Sequence, residues 1–109
     1  MKPKLYVLVR GDLPRPHQAV QAGHAVAGWC LERSYRLHWD GREIQRIPLW
    51  ENGTLVYLKV RNEEELLRYA ELLPEGYIFR EPYWEHSATA LAVLGVDGIT
   101  EKFESLNLL

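Results

Sequence analysis

The chain has 109 residues and 12.7 kDa, with 47% hydrophobic and 26% charged residues, which is room for one core and a single domain over residues 1–109. No apolar run approaches the roughly 20 residues of a bilayer span, no secretory h-region opens the chain, and the lone Cys30 excludes an internal disulfide, so the expected setting is cytoplasmic, with no membrane. The net charge of −2 hides an asymmetry: residues 1–50 hold eight Lys/Arg against four acids, a balance of +4 that leaves −6 for the rest. A basic surface built from the first half is therefore open to phosphates, beside the plainer reading of an uneven solvated surface.

In chain order, Lys4-Leu5-Tyr6-Val7-Leu8-Val9 is a near-continuous apolar, β-branched and aromatic run, the pattern of a central strand covered on both faces. Gly11 and Asp12 open a turn, and Pro14 and Pro16 are tolerated only where a helix begins, which predicts a helix over about 16–36. On that helix His17, Gln21, His24 and Gly28 fall within about 60° of one another, opposite Ala19, Val26 and Cys30. One face is expected to pack through small residues, with Cys30 a small core residue, and the other to carry polar work. Residues 37–53 hold Asp40-Gly41 and Asn52-Gly53 turn signals, Pro48 and two Trp, and read as a connection with a short strand or helical turn.

Residues 54–60 form the next strand, and Asn62 three places before Glu65 is a reciprocal helix cap. Leu66, Leu67, Ala70 and Leu73 then recur at helical spacing up to Pro74. Residues 77–80 and 89–94 are two further strands, joined by a loop with Glu81, Tyr83, Trp84, Glu85, His86 and Ser87. Residues 99–108, with Ile99, Phe103 and Leu106 on one face, read as a short terminal helix. Strands alternating with helices predict an α/β sheet between helical layers.

Two sets of residues offer chemistry. The stripe of His17, Gln21 and His24 supplies donors, acceptors and groups that titrate near neutrality. Its plainer reading is a set of satisfied, partly buried side chains. His17 and His24 lie about 10 Å apart along a helix, too far to chelate one metal unaided, so no metal or other cofactor is expected. The second set is the loop with Glu81, Glu85, His86, Ser87 and Thr89, from which a base, acid or nucleophile can be drawn, or which is simply a polar connection. Ser87 lacks the strand-turn-helix elbow of a hydrolase nucleophile. Tyr83 and Trp84 are potential stacking platforms for a base or ribose.

The stretch VLVRGDLPRPHQAVQAGHA, together with LVYLKVRNEEELLRYAE and the strand ending at Arg80 before TALAVLG, resembles the type 2 peptidyl-tRNA hydrolase family over nearly the whole chain. The family's Gly-Lys pair corresponds here to Pro16-His17, and its Arg-Asp-Ala-Gly loop to Arg80-Glu81-Pro82-Tyr83. The resemblance implies a three-layer α/β/α fold with a mixed four-stranded sheet, and hydrolysis of the ester joining a peptide to the 3′ ribose of tRNA. It implies His17, Gln21, Glu81 and Asp12 as catalytic residues: His17 for the oxyanion or phosphate, Gln21 for water or substrate, Glu81 as base, Asp12 to orient or polarise. Under it His24 braces the helix, and Arg10, Arg15, Arg33 and Arg36 meet phosphates of tRNA or peptidyl-tRNA. The oligomeric state stays open, a homodimer included. Two other readings stand beside it, a catalytically silent tRNA- or protein-binding module and a small-molecule enzyme using the same pocket.

Overall fold

The computed structural model describes residues 2–109. Strand β1 (Lys4–Arg10) leads into helix α1 (Arg15–Glu32), then come β2 (Tyr35–Trp39), β3 (Ile44–Pro48), β4 (Leu55–Val60), helix α2 (Glu63–Leu72), β5 (Tyr77–Glu81) and β6 (Ser87–Gly95). Single 3₁₀ turns follow β5 at Pro82–Trp84 and β6 at Thr100–Lys102. The main sheet has the order β4-β1-β6-β5. β1 runs parallel to β4 and antiparallel to β6, and β5 is antiparallel to β6. The sheet is thus mixed, with β1, β4 and β5 all ending at the same edge.

β1 explains its own apolar run. Leu5, Val7 and Val9 point to the side where Ala22, Ala25 and Trp29 of α1 pack with Ala90 and Ala92. Leu8 points to the other side, with Leu58, Val60, Leu66, Leu73, Leu91, Val93 and Phe103. Two core layers flank one sheet, which is a three-layer α/β fold. α1 comes close to the sheet where its contacts are Ala22 and Ala25. Gly28 is the extreme case: a Cβ there would stand 2.1 Å from the Tyr77 ring.

The cap of α2 departs slightly from the reciprocal pattern. Asn62 Oδ1 accepts from Glu65 N–H at 2.9 Å, but Glu65 turns its own carboxylate to Arg61, accepting from its N–H at 3.0 Å and its Nε–H at 2.9 Å. The cap thus meets one donor of the first helical turn and the Glu65 carboxylate fixes the residue before it.

Three sequence expectations change, and the short strand expected within residues 37–53 is found as one arm of a hairpin. α1 stops at Glu32 instead of about 36: Arg33 leaves helical geometry, and Arg36 sits on a strand. The sheet-facing side of α1 is Gln21, Ala22, Ala25 and Trp29, while Ala19 and Cys30 are exposed. The polar Gln21 packs inward because Thr89 and Glu81 offer it partners there. Residues 37–53 contain a strand of a real hairpin, β2 pairing antiparallel with β3 around Asp40, whose carboxylate accepts from Arg42 and Glu43 N–H while Gly41 takes φ +92°. Lastly, the terminal helix is reduced to the turn Thr100–Lys102. Beyond buried Phe103 the chain extends along β4, with Lys59 N–H donating to Asn107 O and Leu109 N–H to Tyr57 O. This pairing covers the open edge of β4.

Candidate functional site

The edge where β1 and β5 end is also where α1 begins, so the first turns of α1 face the loop after β5. His17, Val20, Gln21 and His24 of α1 meet Phe79, Glu81, Pro82, Tyr83 and Trp84 across a cavity of about 560 Å³. Glu81 is the last residue of β5 and is only 7% exposed. Glu85 (φ 54°) and His86 (φ 59°) are both left-handed, a costly conformation for residues with a Cβ. It folds the connection back tightly enough for His86 N–H to reach Glu81 O at 3.0 Å.

A buried relay orders the floor of the site. Thr89 of β6, fully buried, donates its hydroxyl to Gln21 Oε1 at 2.7 Å. A hydroxyl can accept as well as donate, so it is the acceptor-only Glu81 carboxylate that decides the amide's orientation. Gln21 Nε2 is thereby turned to Glu81 and donates to Oε2 at 2.9 Å, while Tyr83 N–H donates to Oε1 at 3.1 Å. No buried side-chain nitrogen or oxygen among the described residues lacks a partner. The Gln21 bond, then the Tyr83 N–H, then the proximity of His24 hold the Glu81 carboxyl below its usual range, against the opposing effect of burial. Glu81 is ionised at neutral pH.

The two histidines are held by rings. His17 meets Trp84 edge-on at 5.2 Å between centroids, and His24 stacks on Phe79 at 4.6 Å with the planes 11° apart. Tyr83 projects outward, 93% exposed, beside the mouth. The walls are thus aromatic and the floor carries one anion, a suitable shape for a ligand with a flat group and a polar centre.

The other sequence candidates lie elsewhere. Asp12 is not in the cavity wall. It is tied to Arg10, accepting from Nε and Nη2 at 3.0 Å each, which lowers its pKa, and Arg10 also donates to Ala88 O at 3.3 Å. The pair clamps the end of β1. Gln18 secures the same turn, its amide donating to Leu13 O at 2.7 Å. Arg15 opens α1 at this end. Arg33 and Arg36 line a different cavity with Leu94 and Val96, at the opposite end of the sheet. With 18 residues in α1, about 27 Å of helix separates the two ends. The four arginines do not form one basic face.

Thr89 stands out only in the structure. In sequence it is one of several polar residues after the loop, and its partner Gln21 lies 68 positions away. The one local signal is a hydroxyl inside the run Ala88-Thr89-Ala90-Leu91-Ala92, since a hydroxyl in a buried strand requires an acceptor.

No protein-family model and no curated protein sequence matches this chain. Among solved structures, a protein of unknown function from Agrobacterium tumefaciens is similar over 100% of this chain and 98% of its own, with a TM-score of 0.69 and 12% identity. At that identity the likeness concerns the fold.

Proposed function

We propose that the cavity between α1 and the β5–β6 connection hydrolyses the ester of peptidyl-tRNA, with Glu81 as the base. The observation that carries this reading is the buried, ionised Glu81, fixed by Gln21 and the Tyr83 amide at the floor of an aromatic-walled cavity. In the step, a water oxygen bonds to the ester carbonyl carbon as Glu81 takes the water's proton, and the carbonyl oxygen becomes an oxyanion. Collapse of that intermediate breaks the bond to the ribose 3′ oxygen, which leaves with the proton held by Glu81. Gln21 positions the carboxylate and the water, and His17, at the mouth, offers a hydrogen bond to the oxyanion or a phosphate. Trp84 and Tyr83 offer faces on which the terminal base or ribose can stack. His24, stacked on Phe79, braces the helix against β5. Asp12 has no direct part in the step: it pairs with Arg10 and neutralises it, and Arg15 supplies the positive charge at this end of the molecule.

One observation favours a second reading. Both Glu81 oxygens already accept a hydrogen bond and its pKa is lowered, which makes the carboxylate a weak base and suits a module that binds the RNA end without cleaving it. Turnover of a peptidyl-tRNA by the purified protein decides between them. Under the first reading Glu81→Gln lowers turnover by about 100-fold or more while binding persists. Binding by the parent chain without release of the peptide would leave the binding module standing, and failure to bind would remove both.

A further inference from the structure

β2 and β3 form a ribbon of their own, outside the sheet that carries the core. Directly paired residues share a face, so Tyr35 with Pro48, Leu37 with Arg46 and Trp39 with Ile44 make one side. On that side Leu37, Trp39 and Ile44 are 62%, 62% and 65% exposed. A lone two-stranded ribbon is marginal in water, and a contiguous aromatic and aliphatic strip has the composition of an interface centre.

At the root of this arm a shallow groove runs over the end of β6, walled by Leu49, Leu94, Val96 and Ile99. Its rim carries Glu32 and Glu75 as well as Arg33 and Arg36. The arm brings charges of both signs to match, Arg42 and Arg46 with Glu43, and none of these three forms an ion pair within the described residues. Leu37 and Ile44 present neither a stacking face nor a hydrogen bond to a nucleotide, so the strip suits a protein surface.

We propose that the occupant is a second copy of this chain, each arm laying its Leu37, Trp39 and Ile44 side into the groove of the other about a two-fold axis. An arm in a groove once is too small for a stable complex. Done twice, each copy contributes the six residues of the arm face and the ten that line the groove, fifteen in all because Tyr35 belongs to both, which approaches the roughly 20 residues per side of a small stable interface. The interface lies at the end of the sheet away from Glu81 and leaves that cavity open.

Sedimentation velocity from about 1 to about 500 µM spans the dissociation constants of such an interface. The expected result is a monomer that passes to a dimer with rising concentration, and at least a tenfold weakening when Trp39→Glu and Ile44→Glu are combined. Hydrogen exchange of the parent chain gives a reading that no variant can spoil by misfolding: residues 35–48 exchange more slowly as dimer forms. A parent chain that stays monomeric with unchanged exchange overturns the proposal, as does a dimer indifferent to the two glutamates. An arm protected by added RNA in a monomeric chain also overturns it and assigns the arm to nucleic acid.

Discussion

Thr89 shows how much one hydroxyl decides. Without its hydrogen, Gln21 Oε1 is left in the core with no partner. Thr89→Val keeps the shape and removes the donor, so it is expected to cost about 1–3 kcal/mol, read as a lower denaturant midpoint. Thr89→Ser, which keeps the hydroxyl, should recover most of that loss. Glu81 adds a pH signature. Its folded pKa lies below the usual 4.5, so its stabilising contribution is complete above that value and is lost as pH falls through the lowered one. Glu81→Gln should therefore be less stable than the parent near pH 7, and the two stabilities should converge under acid. Urea midpoints taken between about pH 3 and pH 7 check the sign. Parallel curves would mean that the charge contributes nothing to folding.

At the level of elements, the sequence is most legible where an element meets the core. β1 reads as a central strand because both its faces are covered, and α2 reads from Asn62 because a cap is a local interaction. The hairpin is not legible in the same way. Its alternation of Tyr35, Leu37 and Trp39 has no core to face, and it begins directly after a helix whose period continues into it. Small residues alone also point to the wrong side of α1. Ala19 is small but exposed, whereas Gln21 is buried because Thr89 and Glu81, both distant in sequence, bond to it. That Gln21 and Glu81 approach the same edge follows from element order, since each comes after a strand running in the same direction. Their hydrogen bond, and the part of Thr89 in it, depend on side-chain geometry that no spacing encodes. Gly28 offers a test of the helix–sheet contact. Gly28→Ala gains about 1 kcal/mol of helix propensity, but the added methyl must push Tyr77 aside at a cost of about 1–3 kcal/mol. A net destabilisation is expected in thermal unfolding, and Tyr77→Ala in the same chain should relieve it.

For the whole molecule, 49 Å along its longest axis, the distribution of charge matters more than its sum. Under the hydrolase reading the RNA end sits at the cavity, near Arg15, while Arg33 and Arg36 are a helix length away. Arg15→Ala should flatten the salt dependence of tRNA binding by about 0.7 in slope for each phosphate that Arg15 neutralises. Joint replacement of Arg33 and Arg36 should leave the slope unchanged. Anisotropy titrations across a salt series measure both, and the reverse pattern would place the RNA along the far end. The strand order also imposes a delay during synthesis. Lys4-Leu5-Tyr6-Val7-Leu8-Val9 is synthesised before either of its hydrogen-bonding partners, Leu55 to Val60 on one side and Ala90 to Gly95 on the other. At about 5–20 residues per second of synthesis, the segment waits several seconds for its second neighbour. Throughout that wait Leu5 to Val9 is an unpaired, uncharged, strand-forming run of the kind that seeds aggregates. The yield of folded protein should therefore depend on how the nascent chain is shielded, and slower translation between β1 and β6 should lower it.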